Sequence, residues 1–215
     1  MKKLLLAFVI ILFTLTSNVV WSADFQKGLE AAQRGDFTTA LREWTPLAEE
    51  GNRVAQYNLG QMYRKGEGVP GNNKTALKWY KLAAEQGYKN AQYALGLMYQ
   101  KGQGAIQDLK TSVKWYTLSA EQGNDNAQYN LGQIYRRGEG VPQNYKIAEK
   151  WYRLAAEQGD EDAQYALGWM NEIGLGVIQD NIYAHMWGNI SASNGSEKGV
   201  ELRERMAQEM TAAEI

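Results

Sequence analysis

The chain repeats itself with a fixed period of 36 residues. The tripeptide Ala-Gln-Tyr begins at positions 55, 91, 127 and 163, and Leu-Gly recurs at positions 59, 95, 131 and 167. A Gly-x-Gly pair and a Trp-Tyr pair follow at the same spacing, with Trp187-Gly188 in place of the fourth Trp-Tyr. A period of this length is typical of a solenoid, in which each unit packs on the next. Because the repeated positions carry no catalytic set of residues, the period favours a binding scaffold over an enzyme.

Each unit is predicted to form two helices. In the first unit, Ala55, Leu59 and Met62 recur at helical spacing, Asn52 caps the helix and Gly66 ends it. The second helix of each unit begins at an Asx residue: Asn72, Asp108, Asn144 and Asp180. No stretch alternates with the period of two that is typical of strands. We therefore predict an all-α solenoid of stacked helical hairpins.

A glycine recurs in the middle of the first helix of each unit, at Gly60, Gly96, Gly132 and Gly168. Glycine at such a position costs about 1 kcal/mol relative to alanine. Its presence in every unit indicates a shared packing reason. We predict that a Cβ here would collide with a neighbouring helix, where a large Trp or Tyr ring packs.

The pattern A-x-x-x-L-G-x-x-Y-x-x-G-x-G, followed by A-x-x-W-Y-x-x-A-A-E-x-G, resembles the Sel1-like repeat, a relative of the tetratricopeptide repeat. The resemblance implies a right-handed α-α superhelix without intrinsic catalysis that acts as an adaptor. It divides the chain into a capping helical hairpin, four repeats and a C-terminal capping helix. Their ranges are 23–51 for the hairpin, 52–87, 88–123, 124–159 and 160–195 for the repeats, and 196–215 for the helix.

One secreted bacterial branch of this family carries a Cys pair in each repeat and has been linked to β-lactam binding or hydrolysis. This chain has no cysteine. The corresponding positions are Gln56, Gln92, Gln128 and Gln164, and Ala84, Ala120 and Ala156. A single histidine, His185, excludes the usual zinc sites and Cys/His catalysis. We expect no catalytic residues, no metal and no cofactor, with a β-lactam enzyme as a remote alternative.

Residues 1–22 have the features of a cleavable signal peptide. Lys2 and Lys3 precede a short apolar run, and small Ser22 stands before the expected cut at Ala23. Cleavage removes two lysines and no acids, which leaves 21 Lys and Arg against 24 Asp and Glu, a net charge of about −3. Without a basic excess we expect no nucleic-acid partner. The sequence predicts a periplasmic or secreted monomer without stable membrane insertion after cleavage.

The first helix of each unit is expected to line the concave surface, with the groove on the side opposite Leu59 and Gly60. This geometry predicts three rows of protein-binding residues. The rows are Tyr57, Tyr93, Tyr129 and Tyr165; Gln61, Leu97, Gln133 and Trp169; and Arg64, Gln100, Arg136 and Glu172. The second and third rows vary between units and are therefore the better candidates for specificity. The tyrosines either contact a partner or are half-buried packing residues.

Basic and aromatic side chains in these rows suit a protein or peptide partner that is acidic or ends in a carboxylate. The sequence thus predicts a non-catalytic scaffold that binds a protein or peptide in its groove. The alternative from another class is a cell-wall module that binds peptidoglycan or carbohydrate, since rows of Tyr and Trp are suitable stacking platforms.

Overall fold

The structure, a computed structural model, describes residues 23–210 and contains eleven helices and no strand in that range. The helices are α1 (Phe25–Gln33), α2 (Phe37–Glu49), α3 (Arg53–Lys65), α4 (Asn73–Glu85), α5 (Lys89–Lys101), α6 (Leu109–Glu121), α7 (Asp125–Arg137), α8 (Tyr145–Glu157), α9 (Glu161–Ile173), α10 (Asn181–Ser193) and α11 (Glu197–Glu209). They form consecutive antiparallel hairpins stacked into a solenoid, so the predicted all-α fold is confirmed. The predicted signal peptide (1–22) and residues 211–215 lie outside the described residues.

The helix ends follow the predicted caps. The Asn52 side chain accepts hydrogen bonds from the backbone N–H groups of Val54 and Ala55. The Asx residues before α4, α6, α8 and α10 each accept from the backbone N–H three residues on. Tyr88, which precedes α5, makes no such bond. Side-chain caps satisfy the unpaired donors of a first turn, so the positions of the Asx residues determine where the second helices begin.

The first helix of each repeat ends at a glycine in the left-handed conformation, with φ between 66° and 76° at Gly66, Gly102, Gly138 and Gly174. An L residue adopts that conformation at a cost, so these glycines fix the turn into the loop between the two helices.

The recurring mid-helix glycine lies under an aromatic ring in the first three repeats. A Cβ on Gly132 would stand 2.5 Å from Cδ1 of Tyr152, a residue of the second helix of the same repeat. Gly60 and Gly96 have the same relation to Tyr80 and Tyr116. The predicted tight contact is confirmed, and it brings the two helices of each hairpin together along the core.

Side-chain amides connect successive hairpins inside the stack. Gln56 is 3% exposed; its Nε2 donates to the carbonyl of Ala48 at 3.0 Å, and its Oε1 accepts from Gln86 at 2.8 Å. Gln92, Gln128 and Gln164 repeat both bonds with Ala84 and Gln122, Ala120 and Gln158, and Ala156 and Asn194. A buried amide is stable only when paired. Each of these glutamines therefore ties its own hairpin to the preceding one by a hydrogen bond.

Additional helices cover both ends of the stack. At the N-terminal end, α1 and α2 pack around Trp44, which is 4% exposed. At the C-terminal end, α11 packs on α9 and α10 and buries Leu202 and Met206. Among the helices of residues 23–210, none is long and apolar enough to cross a membrane.

Candidate functional site: the groove along the first helices

The predicted groove residues lie on α3, α5, α7 and α9 at equivalent turns. Nearly all of them are half-buried, while Arg64 is exposed. The structure brings together the positions of neighbouring repeats: Tyr57, Gln61 and Arg64 line one cavity with Tyr93 and Leu97. Tyr129, Gln133, Arg136, Tyr165 and Trp169 line a second cavity two repeats further on. The first two rows and the arginines of the third row therefore line these cavities, whereas Gln100 and Glu172 line neither.

The tyrosine row packs on the aromatic rings of the second helices. The ring centroids of Tyr57 and Tyr80 lie 5.6 Å apart, and those of Tyr129 and Tyr152 lie 5.8 Å apart. Burial raises the pKa of Tyr57, with the hydrogen bond from Gln61 opposing the rise. These rings stabilise the hairpin, and their half-buried edges also form the floor of the groove.

The middle row uses its amides to hold the tyrosine hydroxyls. Gln61 Nε2 donates to the Tyr57 hydroxyl at 2.7 Å, and Gln61 Oε1 accepts from the Tyr80 hydroxyl at 2.9 Å. Arg64 also donates to Gln61 Oε1, at 3.0 and 3.2 Å. The guanidinium is thereby held in place at the surface of the groove.

Two members of the third row are engaged by neighbouring side chains. Gln100 accepts a hydrogen bond from the Tyr116 hydroxyl at 2.9 Å. Glu172 accepts from Arg205 Nε and Nη2 at 2.6 and 2.8 Å, and its side chain is 16% exposed. Arg205 belongs to α11, so the C-terminal helix covers this end of the row. Arg205 falls at a position of the 36-residue period that varies from unit to unit, so the sequence did not indicate this ion pair.

The two cavities lie at equivalent positions of the solenoid, two repeats apart. Seven of the eight residues that line the first cavity have their counterparts 72 residues later in the second, with Leu97 replaced by Trp169; the eighth is Met98. The first cavity has a volume of about 70 Å³ and the second about 300 Å³. The second cavity is the larger opening of the groove and lies where α7, α9 and α11 meet.

Four residues that line the larger cavity were not among the predicted site residues: Tyr152, Asp162, Ala166 and Lys198. Lys198 Nζ lies 3.3 Å from Asp162 Oδ1 and 5.8 Å from the centroid of the Tyr165 ring. The period itself held a signal, because Lys198 follows Asp162 by 36 residues and so extends the row of the repeats into α11.

The Arg136 side chain spans the cavity between two partners. Its Nη2 donates to Gln133 Oε1 at 2.8 Å, and its guanidinium carbon lies 5.5 Å from the centroid of the Trp169 ring. A cation above an indole face gains about 0.5–2 kcal/mol, depending on how much water is excluded. Arg136 is therefore oriented before any partner binds.

The residues that would indicate catalysis do not converge. His185 is half-buried on α10, and its Nδ1 lies 3.4 Å from the Asn189 amide nitrogen. No group of three or more His, Asp or Glu side chains that could hold a metal occurs in residues 23–210. The arrangement of the groove suits recognition by ring faces, amides and cations.

Comparison with known proteins places this fold among repeat proteins. The model of the Sel1 repeat family matches residues 53–88, 89–124, 125–160 and 161–196. A protective antigen of uropathogenic Escherichia coli strains, described as displaying an SLR fold, is 39% identical over 86% of this chain, with a TM-score of 0.82. This chain spans 41% of that antigen's length. A Sel1 repeat protein from Oxalobacter formigenes is 30% identical over 88% of this chain and 87% of its own, with a TM-score of 0.79. A search of curated proteins gave no match.

Proposed function

Because the chain belongs to the Sel1 repeat family, whose members generally serve as protein-interaction scaffolds, we propose that it is a non-catalytic, monomeric scaffold. In this proposal a partner protein or peptide binds in the groove formed by α3, α5, α7 and α9. The partner is acidic or carries a free carboxylate where it contacts the groove.

The observation that carries this proposal is the pair of equivalent arginines along the groove. Arg64 and Arg136 occupy the same position two repeats apart, and each is oriented by a hydrogen bond to the glutamine one turn earlier. Fixed guanidinium groups next to aromatic rings are typical anchors of protein interfaces, and they pair well with carboxylates. The intervening residue is Gln100, so the two cations mark separate contact points on one surface.

Photo-crosslinking in the native cell tests whether this surface binds a protein. We expect a crosslinking amino acid at Leu97, in the groove, to yield a discrete adduct, whereas the same probe at exposed Lys114 on α6 yields none. The double variant Arg64→Glu and Arg136→Glu should abolish the adduct. Substitution of exposed Arg64 should change stability by less than about 0.5 kcal/mol. Loss of the contact between half-buried Arg136 and the Trp169 ring should cost about 0.5–2 kcal/mol, so folding should be retained.

The matched control is Lys78→Glu with Lys114→Glu, which makes the same change in charge at exposed positions of α4 and α6. This control should retain the Leu97 adduct. An adduct that survives the arginine reversal, or that forms equally from both faces, would show that the groove is not the binding surface. Binding of the purified protein to peptidoglycan, with no protein adduct, would instead support the cell-wall alternative.

We also infer that the protein is exported. The basis is the sequence of residues 1–22, where Lys2 and Lys3 precede a short apolar run and small residues surround the expected cut. N-terminal sequencing of protein from the periplasm or medium should begin at Ala23 or Asp24. Recovery of the protein with Met1 in a membrane fraction would contradict export by cleavage.

A further inference from the structure

The larger cavity contains a hydrogen-bond donor that has no acceptor. Within residues 23–210, the buried side-chain polar atom without a hydrogen-bond partner is the Tyr152 hydroxyl. In the equivalent cavity the Tyr80 hydroxyl donates to Gln61 at 2.9 Å. A buried polar group without a partner is destabilising, so such an atom in a residue that lines a cavity points to a ligand that supplies the partner.

The protonation state of Tyr152 shows what kind of partner is missing. Burial raises the pKa of Tyr152 to about 12, and the nearby Arg136 guanidinium opposes this rise. The hydroxyl therefore keeps its proton at neutral pH. Arg136 donates to Gln133, and it faces the Tyr152 oxygen only as a donor, so it supplies no acceptor for the hydroxyl proton. Both groups that face this part of the cavity are donors, so the complementary ligand atom is an acceptor.

The charges around the cavity favour an anionic acceptor. Arg136 and Lys198 contribute two positive charges, and Asp162, which pairs with Lys198, contributes one negative charge. In the equivalent cavity of repeats 1 and 2, the positions of Asp162 and Lys198 are neutral Asn90 and Asn126. A carboxylate could accept from a tyrosine hydroxyl and a guanidinium at once, and charge-assisted bonds of this kind are stronger than neutral ones.

The walls of the cavity are aromatic and leave room for a side chain. Tyr129, Tyr165 and Trp169 surround a volume of about 300 Å³, which is at the lower end of the range for ligand pockets. The exchange of Leu97 for Trp169 between the two cavities adds the largest ring face. An apolar group next to the carboxylate would therefore be buried on binding.

We propose that this cavity binds the C-terminal carboxylate of an extended partner segment whose last residue is apolar. This inference rests on the groove function proposed above. A chain end carries its carboxylate and its last side chain on a single Cα, so both enter the cavity together. An internal acidic residue would instead bring two peptide groups against the aromatic walls, where their N–H and C=O groups lack partners and binding is penalised.

Three small probes distinguish a terminal carboxylate from a terminal amide and from the carboxylate of an internal acidic residue. N-acetyl-phenylalanine supplies a terminal carboxylate and a ring, and its C-terminal amide lacks the carboxylate. N-acetyl-aspartate α-N-methylamide, whose α-carboxyl is blocked, carries only the side-chain carboxylate of an internal acidic residue. Titration is followed by the NMR shift of the Trp169 indole N–H. We expect saturable binding of N-acetyl-phenylalanine, with at least tenfold weaker binding of the other two probes.

Tyr152→Phe removes the hydroxyl and keeps the ring that packs over Gly132. It should weaken N-acetyl-phenylalanine binding about tenfold, equivalent to about 1.4 kcal/mol, because a hydrogen bond to a charged group is lost. The matched control is Tyr80→Phe, the same change in the smaller cavity, which should leave the titration unchanged. Arg136→Gln should also weaken binding of the acid without affecting the amide.

Equal binding of the acid and its amide would overturn the proposal, as would tighter binding of the aspartate probe, no binding of any probe, or an unchanged titration in Tyr152→Phe. The groove function is tested separately by the Leu97 adduct. If that adduct depends on Arg64 and Arg136 while the probes fail, the groove function stands and the carboxylate cavity does not. If the probes bind as expected and no adduct forms, the cavity stands and the protein-scaffold function fails.

Discussion

The two ends of the solenoid differ in which side chain packs over the glycine in the middle of a helix. At the N-terminal end, Gly28 of α1 lies under Trp44 of α2, and a Cβ on Gly28 would stand 2.5 Å from the indole nitrogen. This is the same relation that Gly132 has with Tyr152 inside the stack. At the C-terminal end the ring is missing, because Gly188 occupies the position that holds tyrosine in the other three repeats.

The space over the last mid-helix glycine is filled from outside the repeat. A Cβ on Gly168 would stand 2.5 Å from Leu202 Cδ2, a side chain of α11. Gly188 allows this approach, since a Cβ there would stand 2.9 Å from the backbone nitrogen of Arg203. In the N-terminal hairpin the glycine is therefore covered by a ring of the same hairpin. In the fourth repeat the glycine is covered only when α11 packs on it. The fourth repeat therefore departs from the other three at the position where α11 packs on it.

The strongest test of this difference restores the consensus tyrosine at the C-terminal end. Gly188→Tyr should prevent α11 from docking, because the new Cβ and ring would overlap the backbone at Arg203. Leu202 and Met206, both fully buried, would become exposed. Burial of such a side chain contributes about 1.5–3 kcal/mol, so we expect a loss of about 3–6 kcal/mol in urea unfolding. Limited proteolysis should cut within α11.

The matched control is Met186→Tyr, which adds the same ring at an exposed position of α10. It should change stability by no more than about 0.5 kcal/mol. A Gly188→Tyr protein as stable as wild type, with α11 still protected, would mean that the glycine does not serve the docking of the cap.

A smaller effect is expected when the filling side chain is shortened. Leu202→Ala should cost about 2–5 kcal/mol in chemical denaturation, because it leaves a cavity over Gly168. The neighbouring exposed change Glu201→Ala is the control and should be nearly neutral. In the Leu202→Ala background, the additional change Gly168→Ala should cost less than it does alone, since the colliding atom is gone. If the two changes in stability are strictly additive, Leu202 and Gly168 are not energetically coupled and the proposed contact between them is wrong.

Inside the stack the glycine is paired with a ring of its own repeat. Helix propensity alone predicts that Gly132→Ala stabilises the protein by about 1 kcal/mol. The structure reverses that expectation, because the new Cβ would collide with the Tyr152 ring, and overpacking costs about 1–3 kcal/mol. In a Tyr152→Leu background the penalty should fall. Stabilisation by Gly132→Ala in the wild-type protein would show that the ring shifts freely.

The contrast between the two ends also shows which structural features can be predicted from the sequence. The Asx caps, the left-handed glycines and the close contact at Gly132 follow from a pattern that four units share, so repetition supplied the prediction. Glu172 pairs with Arg205, and Leu202 packs over Gly168, through α11, which lies outside the repeat. Such contacts depend on tertiary packing between α11 and the fourth repeat. A periodic sequence pattern does not predict them.

The same limit applies to the candidate site. The rows of the groove follow from helical geometry, and the structure places Tyr129, Gln133, Arg136 and Trp169 around one cavity. The Tyr80 hydroxyl is hydrogen-bonded, whereas the equivalent Tyr152 hydroxyl is not. The two repeats nevertheless have the same Gln, Arg and Tyr residues at the positions around these hydroxyls. Side-chain orientation distinguishes the two sites. Gln61 Oε1 accepts from Tyr80, whereas Tyr152 has no such bond and the Arg136 guanidinium lies near the Trp169 ring.

The smallest expected effect concerns charge at the N-terminal end. Glu43 is 5% exposed and accepts from Lys27, Arg42 and the backbone of Asp24. The hydrogen bond from Lys27 is the main reason that the pKa of Glu43 is lowered from 4.5 to about 2, with burial opposing. A lowered folded-state pKa stabilises the protein above the unfolded value, and this contribution is lost as the pH falls from about 4.5 through 2.

Glu43→Gln should therefore cost stability at pH 7, by about 1 kcal/mol or less because both cations stay partly hydrated. The difference between variant and wild type should shrink as the pH falls from about 5 towards 2. Hydrogen exchange of the α1 amides measures the effect locally: acid should weaken their protection in wild type, and this Glu43-dependent loss should be absent from the variant. If the difference between the two proteins stays constant down to pH 2, the carboxylate does not hold α1 on α2, and the N-terminal end is secured by Trp44 alone.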